Sequence, residues 1–189
     1  MGKYWSLDPD LTFLNHGSFG ATPNLVLDEQ RRLRTHLESD PVRFFERDAF
    51  EKMNRARLEL SEFLNADSDG MTFCQNATSG VNTVLRSLVL NQGDEIIVPN
   101  HSYQACWNAI DFVAARWGAK IVVVDLPFRC DSEEEIIEPL LAAISPKSVL
   151  VMIDTVTSPT GLRMPFEKLV EEFQSRGVDV LLDAAHGPG

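Results

Sequence analysis

Residues 76–80, Asn-Ala-Thr-Ser-Gly, combine a helix-capping side chain with small residues and hydroxyl groups. Asn76 favours the N-cap position, which leaves the N–H groups of Ala77, Thr78 and Ser79 without partners inside the helix. Free N–H groups and the positive end of a helix attract anions, and small side chains let a phosphate approach closely. Most helices capped by Asn bind only water, so this segment alone is weak evidence for a phosphate site. The sequence has neither the lysine motif of a P-loop nor a G-x-G-x-x-G fingerprint.

Three further segments place polar side chains directly after apolar runs. His101 or Tyr103 could lie flat against a planar ligand, and an ordinary surface loop explains that stretch equally well. Thr157 or Ser158 could donate to a ligand oxygen, although such residues also make common turns. Asp183 would end a buried strand, where a carboxylate is costly without a partner such as a cationic ring nitrogen. The simpler alternative for Asp183 is capping of the next turn.

Taken together, these segments offer a phosphate seat, a stacking ring, a hydroxyl donor and a buried carboxylate in chain order. This combination matches what pyridoxal 5′-phosphate requires. A metal site is not expected, because the three cysteines and four histidines show no ligand spacing.

A parallel sheet would bring these segments to one edge. From residue 66 onwards, short apolar runs alternate with helical patterns. Such β-α-β-α alternation with uniformly apolar strands predicts an α/β fold, a mostly parallel sheet with helices on both faces. Ligands of such sheets bind at the carboxyl ends of the strands. Strands are predicted at 71–74, 95–98, 120–124, 149–153 and 178–182, and helices at 77–90, 103–117, 132–144 and 165–174.

Residues 1–65 predict a preceding segment of loop and helices. Residues 11–20 are typical of a loop, and a helix is expected to start with Thr22 as N-cap and Pro23 as its first residue. A second, longer helix is expected from about 44 to 64. The apolar residues that could share the inner face of the first helix are Val26, Leu33 and Leu37. Those that recur at a helical spacing of three and four along the second helix are Phe50, Met53, Leu60 and Phe63.

Composition narrows the classes of function. A formal charge of -11 argues against a nucleic-acid partner, because phosphates would be repelled. The apolar runs are too short to span a membrane. Three scattered cysteines fit free thiols in a reducing compartment, so a cytoplasmic location is expected. A loose acylation pattern at residues 1–6 is interpreted as a chance match.

The sequence as a whole resembles the class V aminotransferase family of fold-type I pyridoxal-phosphate enzymes, in the branch that includes isopenicillin N epimerase. The resembling stretches span essentially the whole chain in the family's order. They are 13–20 (FLNHGSFG), 40–45 (DPVRFF), 76–82 (NATSGVN), 100–103 (NHSY), 157–161 (TSPTG) and 183–186 (DAAH).

The resemblance implies roles for the cofactor-side residues. Ala77 and Thr78 would hold the phosphate, and His101 would stack on the pyridine ring, with Tyr103 as the weaker candidate. Asp183 would pair with the pyridine nitrogen and keep it protonated, which makes the ring an electron sink. Ser158, or Thr157 beside it, would reach the phenolic oxygen, with His186 close by. The residues expected to be catalytic are His101, Asp183 and His186.

The resemblance also implies a substrate side. The loop Asn15-His16-Gly17 would line it, and Arg43 could meet a substrate carboxylate across the interface of a homodimer. A surface salt bridge is the simpler interpretation of Arg43. The substrate would be an amino acid.

The family's covalent lysine follows the Asp-x-x-His segment, and no lysine of this sequence matches its motif. Residues 66–189 are therefore expected to be a partial cofactor domain, lacking the rest of the large domain and the C-terminal small domain. The full-length protein is expected to be an epimerase, a C-S lyase or desulfurase, or an aminotransferase, and this chain alone is expected to be inactive. The alternative is a truncated, non-catalytic product that binds phosphate compounds weakly or pairs with a full-length relative.

Overall fold

A computed structural model describes residues 2–188. The chain forms two compact units, Met1–Phe73 and Cys74–Gly189. Within the described residues, no helix has both the length and the apolar character that a bilayer crossing requires.

The first unit is helical. Its elements are a 3-10 turn (Gly2–Tyr4), α1 (His16–Phe19), α2 (Asn24–Ser39), α3 (Pro41–Arg43), a π-helical turn (Phe44–Asp48), α4 (Ala49–Leu64) and a 3-10 turn (Ser68–Gly70).

Three local predictions for this unit are corrected. The predicted loop at 11–20 contains the short helix α1. Helix α2 starts one residue later than predicted, because Pro23 has an extended ψ of 145° and takes the N-cap position instead of Thr22. The second helical stretch begins at Pro41, where the Asp40 carboxylate accepts the Arg43 N–H at 3.0 Å, and it is not one continuous α-helix.

The apolar stripes of α2 and α4 remain largely uncovered. Val26 is 53% exposed, so the prediction that it lies on an inner face is wrong for this chain. On α4, the residues at helical spacing that are more than half exposed are Phe50, Met53 and Phe63. Among the described residues of the first unit, only Ser61 is buried. An amphipathic period predicts a helix, but burial also needs a partner surface.

The second unit is an α/β layer structure. It contains α5 (Ala77–Ser87), β1 (Glu95–Pro99), α6 (Gln104–Trp117), β2 (Lys120–Val124), α7 (Glu134–Ala142), β3 (Ser148–Asp154), α8 (Phe166–Ser175) and β4 (Asp179–Asp183). The four strands are all parallel, in the order β2-β1-β3-β4. This arrangement confirms the predicted fold class.

Helices cover both faces of this sheet. Residues of α5 and α6 pack on one face against side chains of β1 and β3, and residues of α7 and α8 pack on the other. Helix α6 ends at Trp117, and its C-cap Gly118 has a φ of 70°, a left-handed conformation that glycine adopts readily.

The predicted strand at 71–74 is wrong. These residues form no ladder with the described strands, and both edges of the sheet, β2 and β4, lack a further partner there. Alternating apolar residues permit an extended conformation, but a strand exists only where another strand pairs with it.

Candidate functional site

The buried polar residues of the second unit gather where β1, β3 and β4 end. Apart from Ser148, they are His101 and Ser102 after β1, Asp154, Thr155 and Thr157 at the end of β3 and just beyond it, and Asp183 at the end of β4. In a parallel sheet these ends share one edge, which is where ligands of such folds bind. His101, Thr157 and Asp183, three of the residues predicted for the site, belong to this buried polar cluster.

His101 is held by a hydroxyl chain. Its Nδ1 lies 3.2 Å from Thr160 Oγ1, which lies 2.6 Å from Thr157 Oγ1. The imidazole is 6% exposed. The neighbouring Asn100 side chain exchanges two hydrogen bonds with the backbone of Leu126, accepting its N–H at 3.0 Å and donating to its C=O at 3.3 Å. These contacts fix both the ring and the loop that carries it.

The loop after β3 is folded tightly around Thr157. Its Oγ1 accepts the N–H of Leu162 at 2.9 Å, and its own N–H donates to the Leu162 carbonyl at the same distance. Gly161 closes the turn with a φ of 64°. Ser158, which directly follows Thr157 in the chain, is exposed. Of the two hydroxyls proposed for the ligand, Ser158 is the one that this loop leaves unengaged among the described residues.

Asp183 is buried and has two hydrogen-bond donors. Its Oδ2 accepts the thiol of Cys106 on α6 at 3.2 Å, and its Oδ1 accepts the N–H of Ala185 at 3.1 Å. Burial raises the pKa of the Cys106 thiol to about 12, helped by its bond to Asp183 and by the negative charges of Asp183 and Asp154. The thiol therefore stays protonated and remains a donor.

Asp154 lies beside Asp183. The two residues are register partners on neighbouring strands, so their side chains leave the same face of the sheet. That face is the one covered by α5 and α6, since Met152 and Leu181, two residues earlier on each strand, belong to its core. Asp154 is 3% exposed, and neither of its oxygens has a hydrogen-bond partner among the described residues. Burial, and then the charge of Asp183, raise the pKa of Asp154 to about 7, while the nearby dipole of the Tyr103 N–H, outside ordinary hydrogen-bond geometry, lowers this pKa by a smaller amount.

Unsatisfied polar atoms concentrate at the same edge. In the described part of the chain, the buried side-chain atoms without a partner are Ser102 Oγ, Thr155 Oγ1 and the two Asp154 oxygens. Native interiors rarely leave such atoms unpaired, and sites that bind ligands are a frequent exception. The edge therefore has the free donors and acceptors that a polar ligand needs.

Helix α5 presents a free N-terminus in the same layer. Asn76 caps it as predicted, accepting the Ser79 N–H at 2.8 Å. The N–H groups of Ala77 and Thr78 have no acceptor within residues 2–188. Helix α5 packs on the face from which Asp154 and Asp183 emerge, through Val81 and Leu85.

The other residues predicted for the site are more loosely placed. Tyr103 is 43% exposed and directly precedes α6, and His186 is exposed in the turn that follows β4. In the first unit, Asn15 is the N-cap residue of α1 and Gly17 lies within this helix. The His16 ring contacts Trp5 in a tilted geometry and Phe13 edge-on. The Arg43 guanidinium lies 3.7 Å from Asp48 and is mostly exposed, which matches the salt-bridge interpretation.

Sequence reasoning missed Asp154, Cys106 and Thr160. Asp154 ends an apolar strand just as Asp183 does, so the same argument about burial could have found it. Cys106 and Thr160 carried no comparable signal, because their roles depend on which elements become neighbours.

The lysines of the second unit lie away from this edge. Lys120 and Lys147 stand at the amino ends of β2 and β3, and Lys168 on α8 pairs with Glu133. No cluster of potential metal ligands exists within the described residues.

The chain belongs to the class-V aminotransferase family, whose model matches residues 17–189. This finding confirms the family resemblance. The isopenicillin N epimerase of Streptomyces clavuligerus is 32% identical over 186 residues, covering 97% of this chain and 46% of its own length. The hercynylcysteine sulfoxide lyase of Schizosaccharomyces pombe is 28% identical over 189 residues, covering 100% of this chain and 48% of its own length. The chain thus spans about half the length of these relatives.

Solved structures support the fold assignment. Two structures of the cystine C-S lyase C-DES match 95% of this chain and 48% of theirs, with TM-scores of 0.84 and 0.86 at 23% and 22% identity. One holds glycine covalently linked to its PLP cofactor, and the other holds the product cysteine persulfide.

Proposed function

We propose that the protein is a pyridoxal-phosphate-dependent enzyme acting on an amino acid, and that this chain forms the half of the site that cradles the cofactor. The observation that carries the proposal is the group of buried polar residues at one sheet edge, centred on Asp183 with its two donors. Membership of the class-V aminotransferase family and the names of its relatives support it. When bound, the cofactor's protonated ring acts as an electron sink for the substrate's α-carbon.

Asp183 would hold the ring nitrogen. A carboxylate that accepts the Cys106 thiol and the Ala185 N–H keeps lone pairs for a third donor, and these two bonds favour its charged form. A protonated ring nitrogen is a suitable third donor, because the ion pair compensates for the burial of the carboxylate.

His101 would stack on the ring. The hydroxyl chain through Thr160 and Thr157 fixes the orientation of the imidazole, which a flat contact requires. Tyr103 remains the weaker candidate. Ser158, or Thr157, would donate to the phenolic oxygen, and His186 would lie nearby.

The N-terminus of α5 would hold the phosphate. The free N–H groups of Ala77 and Thr78, with the Thr78 hydroxyl, provide neutral donors at the positive end of the helix. Residues 76–80 contain no basic side chain, so binding of a phosphate by this segment would depend on these neutral donors.

The substrate side rests on the family resemblance alone. Asn15, His16, Gly17 and Arg43 stay a prediction for contacts with the amino acid, and so does a homodimer. Epimerisation, carbon–sulfur cleavage and transamination all begin with loss of a bond at the α-carbon, and the cofactor-side residues described here serve each of them. We further propose that this chain alone is inactive, since the lysines of its second unit lie away from the edge where the cofactor would sit.

Binding of pyridoxamine 5′-phosphate tests the proposal, because this amine cannot label lysines nonspecifically. Calorimetry should detect binding to the wild-type chain and much weaker binding of pyridoxamine, which lacks the phosphate. Asp183→Asn should weaken the binding of pyridoxamine 5′-phosphate about tenfold or more, the value of a charged hydrogen bond. The matched control is Asp179→Asn, at the opposite end of the same strand, which should bind like the wild type. Equal affinity for the two amines, or equal effects of the two substitutions, would contradict the proposal.

A further inference from the structure

The two buried carboxylates at the sheet edge are neighbours with different surroundings. Asp154 and Asp183 are register partners and emerge on the same face, beneath α5 and α6. Adjacent strands lie about 4.8 Å apart, so two negative charges here would repel each other strongly in a buried setting. Carboxylates at such spacing avoid this repulsion by sharing a proton.

Hydrogen bonding decides which member is charged. Asp183 accepts two hydrogen bonds, from Cys106 and from the Ala185 N–H, and both favour its ionised form. Neither oxygen of Asp154 accepts a hydrogen bond of ordinary geometry from the described residues. The thiol of Cys106 cannot supply the charge instead, because it stays protonated.

The other groups around Asp154 do not reverse this assignment. The N–H of Tyr103, ahead of α6, is the neighbouring dipole that favours a charged Asp154, and its effect is smaller than those of burial and of Asp183. Helix α5 faces this layer with the apolar side chains Val81 and Leu85, and the imidazole on the loop after β1 bonds to Thr160.

We propose that Asp154 and Asp183 form an asymmetric pair that holds one proton at neutral pH, with the proton on Asp154 and the negative charge on Asp183. Asp154 is then a positioning residue: as a neutral acid it lets Asp183 remain the single anion at this edge. The consequence for a bound ring rests on the proposed function: the pyridine nitrogen would meet one negative charge, not two.

The pair can be tested without any cofactor. In protein labelled with ¹³C at the aspartate carboxyl groups, a pH titration followed by NMR should show one buried carboxyl group titrating near neutrality. That signal should disappear in Asp154→Asn and persist in the control Asp179→Asn. In Asp183→Asn it should move to lower pH, because the neighbouring charge is gone, and this second variant leaves Asp154 itself intact. A neutral-range titration that persists in Asp154→Asn, or that does not move in Asp183→Asn, would overturn the pair.

Cofactor binding then tests which member carries the charge. The probes are pyridoxamine 5′-phosphate and its analogue with CH in place of the ring nitrogen. The ratio of their affinities should be retained in Asp154→Asn, since Asn mimics the neutral acid, and should fall about tenfold or more in Asp183→Asn. Equal losses in the two variants would refute the asymmetry. Absence of binding by all variants, with the NMR titration as expected, would refute the proposed function and leave the pair standing.

Discussion

Replacing Asp154 by asparagine should change how the stability of the ligand-free protein depends on pH. The pKa of Asp154 is about 7 in the folded chain, against an ordinary value of 3.8. Between these values the unfolded chain releases a proton that the folded chain keeps. Stability therefore falls as pH rises through this range, because the folded state binds more protons than the unfolded state. The contribution is fully present below the ordinary value and is lost once pH passes about 7.

The magnitude follows from the size of the shift. Each unit of pKa difference corresponds to about 1.4 kcal/mol, so the full range gives a ceiling of about 4 kcal/mol. From about pH 5 to about pH 8, the wild type should lose about 2 to 3 kcal/mol of unfolding free energy that Asp154→Asn does not lose. Because the Asn amide is also buried without a partner, the change with pH is diagnostic, and the absolute stability at one pH is not.

Urea unfolding at these two pH values measures the effect. As pH rises from about 5 to about 8, the urea midpoint of Asp154→Asn should rise relative to that of the wild type by about 1 M or more, given ordinary urea slopes. Asp179→Asn, which removes an exposed carboxylate on the neighbouring strand β4, should show no such gain. If the variant and wild-type curves stay parallel across this pH range, the inferred protonation of buried Asp154 is wrong.

Three further outcomes follow from the site contacts. Thr160→Val should lower the affinity for pyridoxamine 5′-phosphate and alter the ¹⁵N shifts of the His101 ring, whereas Thr160→Ser should preserve both, because the hydroxyl contact at 3.2 Å is retained. Iodoacetamide, followed by mass spectrometry, should label exposed Cys74 in the native protein long before buried Cys106, whose thiol pKa is about 12; comparable rates would contradict this burial. Asn100→Ala should destabilise the protein by about 1 kcal/mol or more in urea unfolding, since the part-buried N–H and C=O groups of Leu126 lose their partner, and an unchanged midpoint would show that the loop after β1 is held by other contacts.

The sequence predicts at which edge of the sheet polar residues gather, but it does not predict which helices and loops contact them there. Apolar strands followed by His101, Thr157 and Asp183 predicted a polar site at the carboxyl ends, because parallel strands share that edge whatever their order. The Cys106–Asp183 bond joins residues 77 positions apart, and it depends on where α6 packs. Local composition carries no such information.

The incorrect predictions have the same physical origin. Residues 71–74 have strand-like composition, but whether they form a strand is decided by a partner elsewhere in the chain. The spacing of Phe50 and Phe63 predicted the helix that contains α4, and both side chains stay exposed in this chain. Periodicity thus predicted the helix correctly, while burial depended on a second surface that periodicity does not describe.

The asymmetry between Asp154 and Asp183 indicates which residues would tune a bound ring. If Asp154 is neutral, the field at the ring nitrogen is set by Asp183 and by the two donors that stabilise its charge. Removing a donor, as in Cys106→Val, would favour transfer of the shared proton from Asp154 to Asp183, because the two carboxylates would then differ less in their affinity for that proton. Cys106→Ser would keep a donor in place and should keep the proton on Asp154. A cysteine with no part in the chemistry would thus help to keep the negative charge on Asp183, together with the N–H of Ala185.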